Sequence, residues 1–293
     1  MGILLTLLIA IVLASPVSAQ GPPSFSPPDL DRLVQRVALY PDLLLAQVLA
    51  AATYPDDIPD ADRWANEHHY LRDQALSDAI NNDQLPWDPS VQALLPFPAV
   101  LDMMASDMNW TQQLGDAFLA QEGDVMDAVQ RQRQIAQRYG YLRSNGQIVV
   151  TTGPYIAINP VSPDYYYVPY YDPLIVFGPP RRGYGVGSAI RFGFAIHLGP
   201  TYRPWGWGYS RFGWNDHTVF INNGRWNRNW VNRRSYVHPY EIRRPERRPE
   251  ARLPEHHELR DRTPHERQAE QTNRGRRPVE DHRDRGNKGR DRR

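Results

Sequence analysis

Apolar residues in the first half of the chain recur three and four positions apart, which is the spacing of an amphipathic helix. The clearest stripe consists of Leu30, Leu33, Val34, Val37 and Ala38, with Asp29 placed to cap the helix. Prolines divide this half into short helices, because the residue before a proline avoids helical backbone angles. The Tyr40–Pro41 pair therefore predicts the end of the first helix, and Pro41 suits the first turn of a second.

The same combination of prolines and apolar spacing predicts further short helices. They are expected to begin at Pro59, Pro89 and Pro98, followed by one marked by Leu114 and Phe118 and one from Val125 to about Gly140. Short helices separated by prolines favour a compact orthogonal bundle over a coiled coil. We therefore predict a helical domain over residues 29–140.

The pattern changes to short β segments after residue 140. Ser144-Asn145-Gly146 is typical of a hairpin turn, because Asn and Gly tolerate positive φ. Short strands are predicted at residues 148–151, 155–158, 165–168 and 174–177. Five prolines in this stretch limit the strands to sheet edges and strand ends. The sequence predicts an irregular β extension over residues 141–177, and a fold class that is mainly α with a small β element (α+β).

The remainder of the chain has an unusual composition. Gly, Arg and aromatic residues alternate over residues 178–240, where Val219–Ile221 and the flanks of Asn223-Gly224 predict one more hairpin. Residues 241–293 are rich in Arg, Glu, Pro and His and contain almost no large apolar side chain. Such a segment cannot bury enough surface to offset its chain entropy, so we expect a disordered C-terminal tail.

The N-terminus resembles a secretory signal peptide in its layout. Ile3–Ala14 is an almost uninterrupted apolar run, too short to span a bilayer comfortably, and small residues follow it up to Ala19. We expect residues 1–19 to be removed, residues 20–28 to form a Pro/Ser linker, and the mature protein to be periplasmic or secreted without a transmembrane span. No Lys or Arg precedes the run, so an uncleaved membrane anchor is the alternative.

Charge is distributed unevenly along the chain, although the formal net charge is only +1. Residues 20–175 contain 20 acidic residues and 8 arginines, a net charge of −12. Residues 176–240 have a net charge of +8, and residues 241–293 have a net charge of +5. This asymmetry indicates either a partner for one part of the chain or mutual attraction between the parts.

Several kinds of reactive site are excluded by composition. The chain has no Cys, which excludes a thiolate nucleophile, a zinc knuckle and an iron–sulfur centre, and its only Lys is Lys288. Adjacent residues on a helix point about 100° apart, so His68 and His69 cannot both face one metal ion. No catalytic residue, metal ligand or cofactor site is assigned.

A cluster of acidic residues has a structural interpretation. This acidic cluster consists of Asp56, Asp57, Asp60 and Asp62. It lies where a helix should begin at Pro59, and acidic residues stabilise helix N-termini. Capping is therefore favoured over a pair of carboxylates for acid–base catalysis, which requires two groups in unlike environments.

Aromatic and Arg residues are concentrated in residues 176–240, which hold 15 aromatic residues and 9 arginines. Aromatic faces stack on sugar rings, and guanidinium groups pair with carboxylates or phosphates. We predict a ligand surface formed by Trp205, Trp207, Trp214, Trp226, Trp230, Arg225 and Arg228. Two alternatives remain: the Trp residues form a core, as Trp often does, or the Arg-rich side docks onto the acidic helices.

Two long motifs resemble a known bacterial family. They are LVQRVALYPDLLLAQVLAAATYP at residues 33–55 and YYVPYYDP at residues 166–173, and Trp226-Asn227-Arg228 with Trp230 is similar to a downstream segment. The family is domain of unknown function 3300, and the resemblance covers about residues 29–177. It implies an exported envelope protein with a low-complexity C-terminus, and it implies no catalytic residues.

These observations lead to a prediction of function. We expect an exported, non-enzymatic cell-envelope protein with a binding or structural role through its Arg/aromatic surface and charged tail. Its expected partners are an acidic glycan, lipid headgroups or another envelope protein, and nucleic acid is disfavoured because an exported protein rarely meets it. The alternative is an envelope glycan-processing hydrolase that uses carboxylates of the helical domain, which requires a concave pocket joining two of them.

Cleavage of the N-terminal segment can be tested directly. Intact-mass analysis of the protein purified from its native host should show Gln20 as the new N-terminal residue. A mass that retains Met1 would instead support the uncleaved anchor.

Overall fold

Eight helices occupy the stretch between residues 27 and 138, and a ninth follows later. The computed structural model describes residues 21–180, 186–199, 202, 205–207 and 209–238, all within the first of two units into which the chain divides, residues 1–245. The predicted signal peptide and the predicted disordered tail lie outside the described residues.

The helices are short and often begin at proline, as the sequence predicts. They are α1 (Pro27–Val34), α2 (Asp42–Ala52), α3 (Ile58–Glu67), α4 (Asp73–Asp83), α5 (Pro89–Gln92), α6 (Pro98–Ser106), α7 (Met108–Ala120), α8 (Glu122–Arg138) and α9 (Pro173–Val176). Proline occupies the first turn of α1, α3, α5, α6 and α9, where its missing N–H costs no helical hydrogen bond.

Nine short strands form small antiparallel sheets in the described part of the chain. They are β1 (Ile148–Thr151), β2 (Ala157–Pro160), β3 (Tyr165–Tyr166), β4 (Pro169–Tyr171), β5 (Ile190–Phe192), β6 (Ile196–His197), β7 (Arg211–Gly213), β8 (Thr218–Ile221) and β9 (Gly224–Arg225). Strand β1 pairs with β2, β3 with β6, and β4 with β5, while β7, β8 and β9 form a three-stranded sheet. The predicted α+β class is confirmed.

Helix α2 lies at the centre of the core. Ten of its eleven residues are buried, and it contacts α5, α7, β2, β7 and β8. Its contact with α7 is especially close, since a Cβ atom at Gly115 would lie 2.0 Å from the carbonyl oxygen of Ala52. Only glycine allows the two backbones to approach this far.

Two predicted β features are wrong for identifiable local reasons. Residues 174–177 were expected to form a strand, but α9 occupies the site because the Asp172 carboxylate accepts the amide of Leu174 at 2.9 Å and caps the turn. The Asn145-Gly146 turn does not join two strands. The Asn145 side-chain oxygen instead accepts the amides of Gln147 and Ile148, which leads the chain into β1.

The apolar stripe of the first helix extends beyond the helix itself. The first helix ends at Val34, before the end of the apolar stripe, and Ala38 remains buried because a tight turn bonds its amide to Val34 O at 2.8 Å.

The predicted hairpin around residues 223–224 is confirmed. Asn222 and Asn223 adopt φ of 51° and 63° between β8 and β9, as a two-residue turn of this type requires.

A buried Arg connects the helices to the rest of the molecule. Arg133 of α8 is completely buried, and its guanidinium donates to four acceptors. These are the Asp42 carboxylate at 2.6 Å and the backbone carbonyls of Ala38 at 2.8 Å, Tyr40 at 3.0 Å and Ile156 at 2.8 Å. The acceptors belong to the α1–α2 connection, the start of α2 and the segment leading into β2.

The Asp42 carboxylate extends this network to the Arg/aromatic segment. Its Oδ1 atom also accepts the amide of Ile158 in β2 at 3.2 Å, and its Oδ2 atom accepts the indole N–H of Trp214 at 3.2 Å. The guanidinium carbon of Arg133 lies 5.0 Å from the centre of the Trp214 ring. One ion pair therefore joins α2, α8, β2 and the residue that follows β7.

This network predicts a large difference between two arginines of the same helix. Arg133→Met should lower the free energy of unfolding by about 3–5 kcal/mol, because it leaves the buried Asp42 charge uncompensated. Arg131→Met removes only the partly exposed pair with Asp31 and should cost about 0–1 kcal/mol. Urea unfolding followed by circular dichroism measures both, and equal losses would contradict the role given to Arg133.

Candidate functional site

Four of the five Trp residues of the predicted ligand surface lie in the core. Trp205, Trp207 and Trp226 are each 2% exposed, and Trp214 is 8% exposed. Their ring faces therefore do not form the exposed stacking surface that the sequence suggested. For these four residues the structure agrees with the alternative interpretation, in which the Trp side chains form part of the core.

The indole N–H groups give a physical reason for this burial. Trp205 donates to the side-chain oxygen of Gln92 at 3.2 Å, and Trp207 donates to the backbone carbonyl of Ala93 at 3.0 Å. A buried Trp needs such a partner, and the end of α5 supplies both acceptors. The segment around residues 205–207 is thereby fastened to the helical part of the molecule.

The Arg residues of the predicted surface differ from one another. Arg228 is buried, with its guanidinium carbon 3.7 Å from the centre of the Tyr54 ring, and it donates to the backbone and side-chain oxygens of Thr53. Thr53 is the C-cap of α2, where a cation interacts favourably with the helix dipole. This contact shows docking of an Arg onto the helices. Arg225 is exposed on β9, and Trp230 is half-buried.

A different part of the molecule forms a cleft with an apolar floor. The cleft has a volume of about 300 Å³ and lies among the α3–α4 connection, the start of α6 and strands β4 to β6. Its floor is formed by Leu76, Leu95, Phe97, Val168 and Ile196. A concave site of this size, with apolar walls and a few polar groups, is typical of ligand sites in proteins.

The buried Trp residues support this floor from behind. Phe97 stacks on Trp207 with ring centres 5.0 Å apart, and Tyr202, which also lines the cleft, lies 6.1 Å from Trp205. Two residues of the predicted ligand surface therefore position the cleft without reaching its interior. The prediction that these residues contact a ligand stays a prediction, and what the structure shows is the burial of the rings.

The rim carries exposed aromatic residues. Phe194, in the short loop between β5 and β6, is 96% exposed, and Tyr170 of β4 is 45% exposed. A Cβ atom at Gly193 would lie 3.0 Å from the Tyr170 ring, so the glycine allows the ring to lie against this loop. The exposed ring of Phe194 therefore extends the apolar surface of the cleft to its rim.

The rim carries polar groups of both signs. Asp73 bonds His197 at 2.7 Å, and Tyr202 donates its hydroxyl to the backbone carbonyl of Asp73 at 3.0 Å. Arg72 is exposed, and in the described part of the chain no carboxylate pairs with it. His69 lies beside it on the rim. The cleft therefore combines an apolar interior with an arginine and an aspartate at its edge.

The acidic cluster lies at the start of α3, as predicted, but the N-cap residue Asp57 makes no capping hydrogen bond with its side chain, so the predicted capping is not observed there. The bonds of the cluster are otherwise structural. Asp57 accepts the amide of Asp88 at 3.0 Å, and Asp60 pairs with Arg63 at 2.9 Å. Burial raises the pKa of Asp57. Asp88 in turn caps α5 and bonds His238. Among the residues that the structure describes, no group of three or more His, Asp and Glu side chains is arranged to hold a metal ion.

Comparison with known proteins identifies the family. The family described as "Protein of unknown function (DUF3300)" matches residues 26–249, which include every element of the fold and the cleft. The chain belongs to this family. The resemblance of the two motifs is thus confirmed over a longer stretch than they cover.

The DUF3300 chain is also similar to a curated bacterial protein. It is 33% identical over 262 residues to "Uncharacterized protein YacH" of Escherichia coli (strain K12). The match covers 71% of this chain and 42% of YacH, so the chain spans about two fifths of the length of that relative. No solved structure matches the chain. None of the helices in the described ranges is both long and apolar enough to cross a bilayer.

Proposed function

We propose that this DUF3300 protein is an exported, non-enzymatic protein of the cell envelope that binds another envelope protein. The cleft would hold one apolar or aromatic side chain of that partner. The observation that supports the proposal is the apolar floor beside the almost fully exposed ring of Phe194. The signal-peptide layout of residues 1–19 supports the proposed export.

The size of the cleft suits a single side chain. A volume of about 300 Å³ is at the lower end of the range for ligand sites and is too small for a long acyl chain. An aromatic anchor in such a pocket contributes much of the affinity of many protein interfaces. Covering the Phe194 ring on binding would stabilise the complex by about 25 cal/mol for each Å² of apolar surface removed from water.

The chemistry of the floor favours a protein over a glycan. Sugar rings need several hydrogen-bonding groups, whereas the floor is formed by aliphatic residues and Phe97. The guanidinium of Arg72 donates to the backbone carbonyls of His69 and Leu71 and has no carboxylate partner among the described residues, so it can also bind a carboxylate that lies beside the partner's aromatic ring. Because Arg72 is exposed, this contribution should weaken as the salt concentration rises.

The cleft can be tested with probes that share this chemistry. Anilinonaphthalene sulfonate combines an aromatic body with an anionic group, so its fluorescence should increase on binding to the folded protein. Phe194→Ser and Ala195→Trp, both at exposed positions of the rim, should weaken binding about tenfold. Val231→Ser, at a residue that is 92% exposed and does not line the cleft, is the matched control and should bind as the parent does.

Competition then identifies the class of ligand. N-acetylphenylalanine should displace the fluorescent probe, and N-acetylalanine and glucuronate should not. Displacement by glucuronate alone would mean that the cleft holds a glycan, and would overturn the proposal of a protein partner. Unchanged binding in both rim variants would show that the probe binds elsewhere and would remove the support from the cleft.

A further inference from the structure

A second concavity lies on a different part of the surface, where α8 begins and the chain leaves β9. Its volume is about 410 Å³, and the residues that line it are polar or charged apart from one Trp. The lining residues are Glu122, Arg225, Trp226, Asn227, Arg228 and Asn229. Three of them belong to the ligand surface predicted from the sequence, and none of the six lines the apolar cleft.

Buried polar atoms in this lining lack hydrogen-bond partners among the described residues. Trp226 is 2% exposed and Arg228 is 8% exposed, yet the indole Nε1 of Trp226 and the Nε of Arg228 make no hydrogen bond to any described residue. The Oε1 atom of Glu122 is likewise buried and without a partner in the described part of the chain. Buried donors are nearly always satisfied in native proteins, so the Trp226 and Arg228 N–H groups require an acceptor that the described residues do not provide.

The start of helix α8 adds to this set of donors. No side chain in the described ranges caps the helix, because Gln121 at the N-cap bonds the backbone of Phe25 and the carboxylate of Asp124 instead. The first amides of a 17-residue helix are therefore left without a side-chain acceptor. An uncapped N-terminus attracts anions through these amides and through the helix dipole.

The charged groups around the pocket favour binding of an anion when Glu122 is not ionised. Arg225 is exposed at the edge of the pocket and brings a positive charge. Glu122 opposes an anion when it is ionised, but burial raises its pKa to about 7, although Arg225 and His217 partly offset this rise. Tyr236 is the further titratable group that interacts with Glu122, and its own pKa is raised to about 12.

We propose that this pocket binds an oxyanion, the carboxylate or phosphate of an acidic ligand. The indole N–H of Trp226, the Nε–H of Arg228 and the guanidinium of Arg225 are the donors to its oxygens. The buried ring of Trp226 binds through its N–H edge rather than through the face that the sequence suggested. The site is separate from the cleft, so neither proposal depends on the other.

Titration with defined anions tests the site. Calorimetry of the full-length protein with inorganic phosphate and with glucuronate, at about pH 5.5 and about pH 8.5, brackets the titration of Glu122. Binding of glucuronate, whose charge is the same at both pH values, should be tighter at the lower pH, where the protonated carboxyl no longer repels the anion. Glucose, which lacks the carboxylate, is the matched control ligand and should not bind.

Substitutions at the lining separate the donors. Arg225→Gln should weaken binding about tenfold or more, whereas Arg211→Gln, an exposed arginine of the same sheet, should leave it unchanged. Trp226→Phe keeps the buried ring but removes the donor and should also weaken binding. Glu122→Gln should make binding at the higher pH as tight as at the lower pH.

Each outcome of the titration has a stated meaning. Binding of glucuronate without phosphate assigns the site to an acidic glycan, and binding of both assigns it to oxyanions in general. Equal binding of glucose and glucuronate would overturn the proposal, because the pocket would then recognise hydroxyl groups. Absence of binding of both anions at both pH values would also overturn it and would leave ordered water as the partner of the buried donors.

Discussion

The buried ion pair between Arg133 and Asp42 is the constraint on which the arrangement of the molecule depends. Moving a guanidinium and a carboxylate out of water is costly, and the cost is offset only if every donor and acceptor finds a partner. Here the partners come from α2, the α1–α2 connection, β2 and Trp214. The polar network therefore requires these four segments to lie at fixed positions around α8.

The acidic first part and the Arg-rich later part are packed against each other. The contacts between them in the described residues include His–Asp pairs and one Arg at a helix end. Arg228 lies on the end of α2, and His217 bonds Asp127 of α8 at 2.8 Å. Other cations remain available at the surface. Arg72 borders the cleft and Arg225 borders the oxyanion pocket, and these are the groups to which the two proposals assign ligands.

Local rules predicted much of the helical half of the fold. Proline positions and apolar spacing located α2, α3, α5, α6 and α8, because the start and the buried face of a helix are determined by short stretches of sequence. The same rules failed at α9, where one capping carboxylate, Asp172, outweighed a β-like apolar run. They also failed at Asn145, whose side chain bonds its own backbone neighbours. Both errors involve a single side chain that changes a local preference.

The candidate sites were less accessible to sequence reasoning, because they depend on contacts between distant residues. Composition pointed to residues 176–240, but whether a Trp ring is exposed depends on acceptors such as Ala93 and Gln92, more than 100 residues away. The apolar cleft joins residues from α3, α4, α6 and β4 to β6, and no motif marks it. Glu122 gave no signal in the sequence, since its importance comes from burial beside Arg225.

Helix α2 is held at both ends by residues that come much later in the chain. Arg133 binds Asp42 at its start from 91 positions downstream, and Arg228 binds Thr53 at its end from 175 positions downstream. During synthesis this largely buried helix therefore emerges long before either cation. Neither end of the helix can make its contact until the arginine concerned has been made, and contacts so far apart in sequence form slowly. The two ends of α2 thus reach their final contacts at different and late stages of folding.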